Sequence, residues 1–251
     1  CIRDRIVYSP LDALTLAQQN PDREIVFVGV GFETTTPLVA MAIKRAAAAG
    51  LKNFSVFGAH KNMPGALEAI INDPQLKVDA LILPGHVSTI IGAEPYRFLA
   101  EKYGIPGVIT GFEPVDVLQG IAMIMRQLHE GRADIEIAYA RGVMPEGNPV
   151  ALAAIDEVFE TCTALWRGLG EIPGSGYRIR EEFAQFDAVR RFQPDVEPTQ
   201  DPKGCRCGDV LRGIMAPNEC PLFRKVCTPE NPVGPCMVSS EGSCAAYHRY
   251  Y

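Results

Sequence analysis

Between Glu24 and Thr110 the chain repeats one pattern: a short apolar run, a polar turn bearing glycine, then a helical stretch. The runs are Glu24 to Val30 (EIVFVGV), Phe54 to Ala59, Asp79 to Leu83 (DALIL) and Gly107 to Thr110. Near-continuous apolar runs are expected of strands buried on both faces of a parallel sheet. Strands alternating with helices of this length predict an α/β fold, an open parallel sheet of Rossmann-like type with flanking helices and right-handed crossovers.

The helices are marked by their ends. Ser9-Pro10-Leu11-Asp12 carries a capping serine and a proline at the first helical position, so a helix is expected from there to about Asn20, after a short strand at Arg5 to Tyr8. An alanine-rich helix ends at Gly50, and others are expected at about Pro64 to Ile71, Glu94 to Tyr103 and Val115 to His129. Ala133 to Val143 alternates as an edge or antiparallel strand would. Pro149 to Leu165 reads as an amphipathic helix that packs Cys162 and ends near Trp166, and Ile172 to Ile179 as a turn-bearing strand pair. Gln193 to Lys203, with three prolines, reads as a linker. Three parts follow: a parallel α/β domain over 1–131, a strand and helix segment with the linker over 132–200, expected to complete a second α/β lobe whose N-terminal part is missing, and a cysteine-rich module over 201–251.

Composition narrows the classes of function. With 251 residues, 47% hydrophobic, the chain can bury a sizeable core. A net charge of -6 without a Lys or Arg run argues against a nucleic-acid partner. No apolar run approaches the roughly 20 residues that span a bilayer, and CIRDRIVYSP lacks the apolar core of a signal peptide, so a cytoplasmic protein with no membrane partner is expected. The chain starts at Cys1 without a Met, and a preceding segment is expected.

In parallel α/β sheets ligands bind beyond the carboxyl ends of the strands. The segments there are Gly31-Phe32-Glu33-Thr34-Thr35, His60-Lys61-Asn62, Pro84-Gly85-His86-Val87-Ser88 and Gly111-Phe112-Glu113-Pro114-Val115-Asp116. Turn chemistry and helix capping explain any one of them. All four on one edge predict a cleft lined by Glu33, Thr34, Thr35, His86, Ser88, Glu113 and Asp116. Gly29-Val30-Gly31 touches the dinucleotide fingerprint, but Thr34 stands where its third glycine belongs, and no nicotinamide or flavin site is claimed.

The second locus is the stretch C-x-C-x12-C-x6-C-x8-C-x7-C from Cys205 to Cys244, with six of the eight cysteines. Such density admits a metal or iron-sulfur site, a disulfide-stapled module, or both. Thiols in a reducing compartment favour metal. Zinc modules usually present C-x2-C knuckles, absent here, whereas a 4Fe-4S cluster accepts scattered single cysteines, so spacing ranks the cluster first, zinc second and disulfides third. A short helix is expected from Cys207 to Arg212.

Gly-Phe-Glu-Thr-Thr at 31–35, Pro-Gly-His-Val-Ser at 84–88, Gly-Phe-Glu-Pro at 111–114 with Asp116, and Cys207-Gly208 through Met237-Val238-Ser239-Ser240-Glu241-Gly242 to Cys244 together resemble the HypD family of [NiFe]-hydrogenase maturation factors. The resemblance covers essentially the whole chain. It implies an assembly scaffold on which, with a HypC-type small chaperone and a HypE-type cyanide donor, the Fe(CN)2CO unit is built as a transient iron centre. It further implies a 4Fe-4S cluster on Cys207, Cys220, Cys227 and Cys244. Cys205 and Cys236 remain, either as a redox-active pair beside the cluster or as two unpaired thiols. The family's Cys-Gly-Gly-His and Gly-Pro-Gly-Cys-Pro-x-Cys motifs do not occur here, which implies an N-terminally truncated fragment without the anchor for the iron under assembly. Against the scaffold stands an α/β enzyme acting on a small anionic substrate, with a structural zinc module. Whether the chain has enzymatic redox activity is left open by its residues.

Overall fold

The computed structural model of the chain describes residues 4–195 and 202–251. Residues 196–201 of the expected linker lie outside the described residues.

The first helix forms as its residues dictate. In α1 (Pro10–Gln19) the Ser9 hydroxyl accepts the Leu11 N–H at 3.1 Å and the Asp12 carboxylate accepts the Ser9 N–H at 3.1 Å, a reciprocal capping box. The strand expected at Arg5 to Tyr8 does not form: Ile6 and Tyr8 are fully exposed, and among the described residues no neighbouring strand offers a ladder.

Strand β1 (Ile25–Gly31) pairs in parallel with β2 (Phe54–His60), from Ile25 opposite Phe54 to Gly31 opposite His60, with α2 (Thr36–Ala48) as the crossover. β1 is not buried on both faces. Val26, Val28 and Val30 are exposed while the alternate side packs, so the apolar run reads as period 2 in space. After α3 (Met63–Ile71), β3 (Leu81–Pro84) leads directly into α4 (Gly85–Ile91), where a loop was expected. A 3-10 turn (Glu94–Tyr96) and α5 (Arg97–Tyr103) then reach β4 (Gly107–Thr110), and α6 (Pro114–Glu130) reaches β5 (Ile135–Ile137). β3, β4 and β5 form a parallel sheet in that order.

The expected single open sheet is therefore two parallel sheets, one of two strands and one of three. The free edge of β2 is met instead by bridges from Asp187 to Val56 and from Gly176 to Lys61, so a later segment stands where the next ladder would begin. Ala133 to Val143 gives only three strand residues, and they pair in parallel because α6 carries the chain back in a crossover.

α7 (Pro149–Val158), capped by the Asn148 side chain, stops well before the expected Leu165. Phe159-Glu160-Thr161-Cys162-Thr163 alternates with β-favouring residues, and β6 (Phe159–Trp166) pairs with β7 (Gly170–Ile179) as a separate two-stranded sheet. A 3-10 turn (Glu181–Phe186), α8 (Ala188–Phe192), α9 (Cys207–Leu211), a 3-10 turn (Pro217–Glu219), α10 (Pro235–Val238) and α11 (Ser243–Tyr250) complete the order.

The chain divides into two compact units. The first comprises Cys1–Gly65, Ala80–Ala164 and Pro173–Asp195, and its core gathers Leu14, Val39, Ile43, Phe54, Val56, Val158, Phe159 and Phe186. The second comprises Ala66–Asp79, Leu165–Ile172 and Val196–Tyr251, with a core of Cys207, Val210, Phe223, Cys227, Cys236, Met237, Cys244 and Ala245. Residues 66–79 and 165–172 thus join the cysteine-rich segment. No helix among the described residues is long and apolar enough to cross a membrane.

Candidate functional site

The strand-end loops of the first unit separate by depth. Glu33, just past β1, is 1% exposed; one carboxylate oxygen accepts the Met63 N–H at 2.8 Å and the other has no hydrogen-bond partner. Burial pushes this carboxyl above its usual range, with the Met63 N–H opposing. Ser88 is fully buried in α4 and donates to the Pro84 carbonyl at 2.8 Å. The Tyr96 hydroxyl is buried beside Ser88. Burial raises its pKa most, the charge of Glu33 adds to the rise and Ser88 opposes it, which places the three groups in one neighbourhood. Tyr177 is raised for the same leading reason and also feels Glu33.

The outer rim is different. His86 is exposed, and its ring lies 4.7 Å from that of exposed Phe112, so the β3 and β4 ends meet there. Glu113, at the N-terminus of α6, is exposed, with Arg141 at 3.4 Å. Asp116 is buried and takes a two-pronged bond from Arg141 at 2.7 and 2.6 Å, which holds its carboxyl below the usual range. The Arg141 guanidinium lies over the Tyr139 ring at 4.6 Å. Thr34 and Thr35 are exposed at the start of α2, where Thr35 donates to the Phe32 carbonyl at 3.2 Å.

Two glycines make this close approach possible. A Cβ at Gly85 would stand 2.2 Å from the Thr110 carbonyl oxygen, and one at Gly111 would stand 2.1 Å from Asp116 Oδ2. Their role is contact between backbones and side chains rather than turn geometry alone.

The seven residues expected in one cleft thus fall into a buried group, Glu33 and Ser88, an ion-paired Asp116, and an exposed set of Thr34, Thr35, His86 and Glu113. Sequence reasoning missed Arg141 and Tyr139, which lie beyond the expected loops. It named His60 in a loop without assigning it a role. His60 ends β2 at 2% exposure, with both ring nitrogens lacking hydrogen-bond partners, and burial lowers its pKa to about 4. Cys162 lies in β6 rather than on a helix, half-buried, its thiol raised by burial.

In the second unit the six clustered cysteines share one core. Cys207, Cys227, Cys236 and Cys244 are buried in it, and Cys205 and Cys220 pack against it. None of the six is in a disulfide. The Cys236 thiol donates to the Cys244 sulfur at 3.1 Å, and the Cys227 sulfur accepts the Val233 N–H at 3.4 Å. Burial raises the Cys205 and Cys244 thiols, and the charges of Cys207, Cys220 and Cys227 add to the rise at both. A backbone N–H from Cys207 works in the opposite direction on Cys205. Phe223 and Met237 wall the group. Among the described residues no three or more His, Cys, Asp or Glu side chains converge on one point closely enough to hold a single ion.

Comparison with known proteins extends over the same span. The HypD family model, described as "Hydrogenase formation hypA family", matches residues 2–251. Similar curated proteins include the hydrogenase maturation factor HypD of Rhodobacter capsulatus, 52% identical over 251 residues, with 98% of this chain and 67% of the relative covered. That of Cupriavidus necator is 49% identical over 253 residues, at 98% and 67%. The hydrogenase expression/formation protein HupD of Azotobacter chroococcum is 50% identical over 252 residues, at 98% and 66%. The chain spans about two thirds of the length of these relatives.

Proposed function

The chain belongs to the HypD family of hydrogenase maturation factors, and from that premise we propose that it carries a 4Fe-4S cluster in its second unit and serves as a scaffold in assembling the Fe(CN)2CO unit of [NiFe] hydrogenase. The observation that carries this reading is the gathering of six cysteines, spread over forty residues, into one apolar core.

The donor set fits the group. A cubane cluster takes four thiolates, each on a different iron, and six thiols gathered in one core supply enough donors of that kind. The Val233 N–H on Cys227 is the kind of contact that stabilises a metal-bound thiolate. From their family positions, Cys207, Cys220, Cys227 and Cys244 are the proposed ligands, and Cys205 with Cys236 the proposed dithiol beside them. When bound, the cluster supplies electrons one at a time, while a neighbouring dithiol stores two.

In the first unit, the exposed His86, Glu113, Thr34 and Thr35 are the groups free to meet cargo iron or a partner, in this reading a HypC-type chaperone and a HypE-type cyanide donor. His86 presents a ring N–H suited to a cyanide nitrogen. Glu33, Ser88 and Asp116 hold the loops from within.

The test is metal and sulfide analysis of anaerobically purified chain. About four iron and four acid-labile sulfide, with a brown colour that bleaches on dithionite, is the expected result. Colourless protein with one zinc would overturn the cluster. Single Cys→Ser variants at all six positions then separate ligands from dithiol: iron should be lost at Cys207, Cys220, Cys227 and Cys244 and kept at Cys205 and Cys236. Cys205 shares the core and accepts a backbone N–H, so the Cys205 and Cys207 variants are the sharpest pair. In the full-length protein, normal hydrogenase maturation by a Cys205→Ser, Cys236→Ser variant would remove the dithiol role, and unchanged cyanide incorporation by His86→Ala would remove the ring's.

A further inference from the structure

α9 has five residues, starts at Cys207 and has no side-chain cap, so helix propensity alone does not hold it in place. Its support comes from elsewhere in the second unit. Arg212, at its C-terminal end, uses its whole guanidinium: Nη1 donates to Asp73 Oδ2 at 2.6 Å, Nη2 to Asp209 Oδ1 at 2.7 Å and Nε to the Gly208 carbonyl at 3.1 Å. Asp73 is itself fixed, its other oxygen accepting the Gln75 N–H at 2.8 Å. Both carboxylates and the guanidinium are largely buried, with side-chain exposures of 17%, 16% and 28%. The bond from Arg212 holds the Asp73 carboxyl below its usual range. Asp209 also pairs with Arg206, the residue between the two cysteines of the C-x-C arm.

α9 also meets the turn between β6 and β7. A Cβ at Gly208 would stand 2.2 Å from the Gly168 carbonyl oxygen, so this contact is between backbones. A cavity of about 200 Å³ opens beside it, lined by Cys205, Cys207, Arg206, Arg212 and Gly168 among others. The arm that carries Cys205 and Cys207 is therefore tied to a backbone contact at Gly168 and to an Arg212–Asp73 ion pair whose partners are 139 residues apart in sequence.

We propose that Arg212, anchored on Asp73, is a positioning residue for the thiol site: it fixes the Cys205–Cys207 arm and thereby sets how firmly that arm holds its ligand. Arg212 touches neither sulfur nor metal in this role. The inference rests on the cluster reading only for its first measurement.

That measurement is the rate at which a ferrous chelator strips iron from the anaerobic chain. Arg212→Gln should release iron about tenfold faster than wild type, as is typical when a group supporting a metal ligand is removed, and Arg212→Lys, which keeps the charge but not the fork, should fall between. The electron paramagnetic resonance signal of the reduced cluster should broaden in the same order. Asp73→Asn should reproduce the intermediate behaviour, since it removes the charge from the other partner. Wild-type release rates and signals in Arg212→Gln would overturn the proposal.

The second measurement needs no metal. In the metal-free chain, alkylation of Cys205 and Cys207 by iodoacetamide, followed site by site by mass spectrometry, should be faster in Arg212→Gln than in wild type while Cys162 reacts at an unchanged rate. Equal rates at all three positions would overturn the clamp. If the anaerobically purified chain holds no iron from the outset and the Cys205 and Cys207 rates still rise in Arg212→Gln, the cluster reading fails and the clamp stands.

Discussion

The first unit places its strand-end loops by ladders, and the second places its thiols with almost none. Gly31 and His60 are opposite each other because seven consecutive pairs of β1 and β2 put them there. In 202–251 the longest regular element among the described residues is the eight-residue α11, and the buried core is half cysteine. A core of Leu, Val, Ile and Phe is stable whatever it binds. Small thiols supply less apolar area, so on the proposed cluster reading the second unit depends on what bridges them. The comparison therefore predicts two kinds of fragility: graded in the first unit, all-or-none in the second.

The largest effect tests that dependence. If the proposed cluster is bound, removing it should cost the second unit on the order of 10 kcal/mol, the scale on which thiolate-bound metals stabilise small modules, and Cys227→Ser should cost part of that. Limited proteolysis should then cut within 202–251 while fragments from the first unit persist. Equal protection of 202–251 with and without metal would break the comparison.

Next is the approach of β3 to β4. Gly85→Ala sets a Cβ against the Thr110 carbonyl oxygen, 2.2 Å away and part of the backbone, so relief requires moving a strand end. A loss of about 3 kcal/mol is expected by urea denaturation, near the upper end for overpacking. A loss below 1 kcal/mol would mean that these loops are less tightly set than the ladders imply.

A third effect appears with acid. His60 is buried and neutral, its pKa lowered to about 4 by burial against 6.5 when unfolded. Between these values the unfolded chain binds the extra proton, so stability is complete above pH 6.5 and declines as pH falls toward 4. From pH 7.5 to pH 5 the loss should be about 2 kcal/mol. Glu33, raised by burial, works in the opposite direction, since its neutral form is favoured in the fold. Comparing wild type with His60→Leu isolates the histidine. The variant should lose the acid sensitivity at little cost at pH 7.5, because neither ring nitrogen has a hydrogen-bond partner to strand.

What was legible in the sequence follows from the same contrast. The start of α1, the two β-α runs around β1 and β2, and the helix at Cys207 are local signals, and all appear. The thiols could be found because cysteine density needs no geometry. The break into two sheets was not legible, because it depends on Asp187 and Gly176 reaching the free edge of β2 from far along the chain. Asp116 resembled a free cleft carboxylate until Arg141, 25 residues away, was seen to hold it. Asp73 and Arg212 left no local trace, since neither sits in a motif and their pairing exists only in the fold. The end of α7 was not legible because no glycine or proline breaks the sequence between Pro149 and Leu165, whereas the alternating, threonine-rich Phe159 to Thr163 pairs with β7.

The smallest effect sharpens the contrast between the two short helices that open each region. α1 has ten residues, a Ser9 cap and a reciprocal bond from Asp12. Ser9→Ala removes one acceptor and leaves the Asp12 contact, the proline at the first position and the packing of Ala13, Leu14 and Ala17, so about 1 kcal/mol should be lost with no change in cooperativity. α9 has neither a cap nor the length, and its order comes from Arg212 and the Gly168 contact. The same kind of change there, Arg212→Gln, should leave the denaturation curve of the first unit in place yet alter thiol reactivity. If Ser9→Ala instead exposes thiols, or Arg212→Gln merely lowers global stability by a similar fraction, the two units do not differ in how they hold their helices.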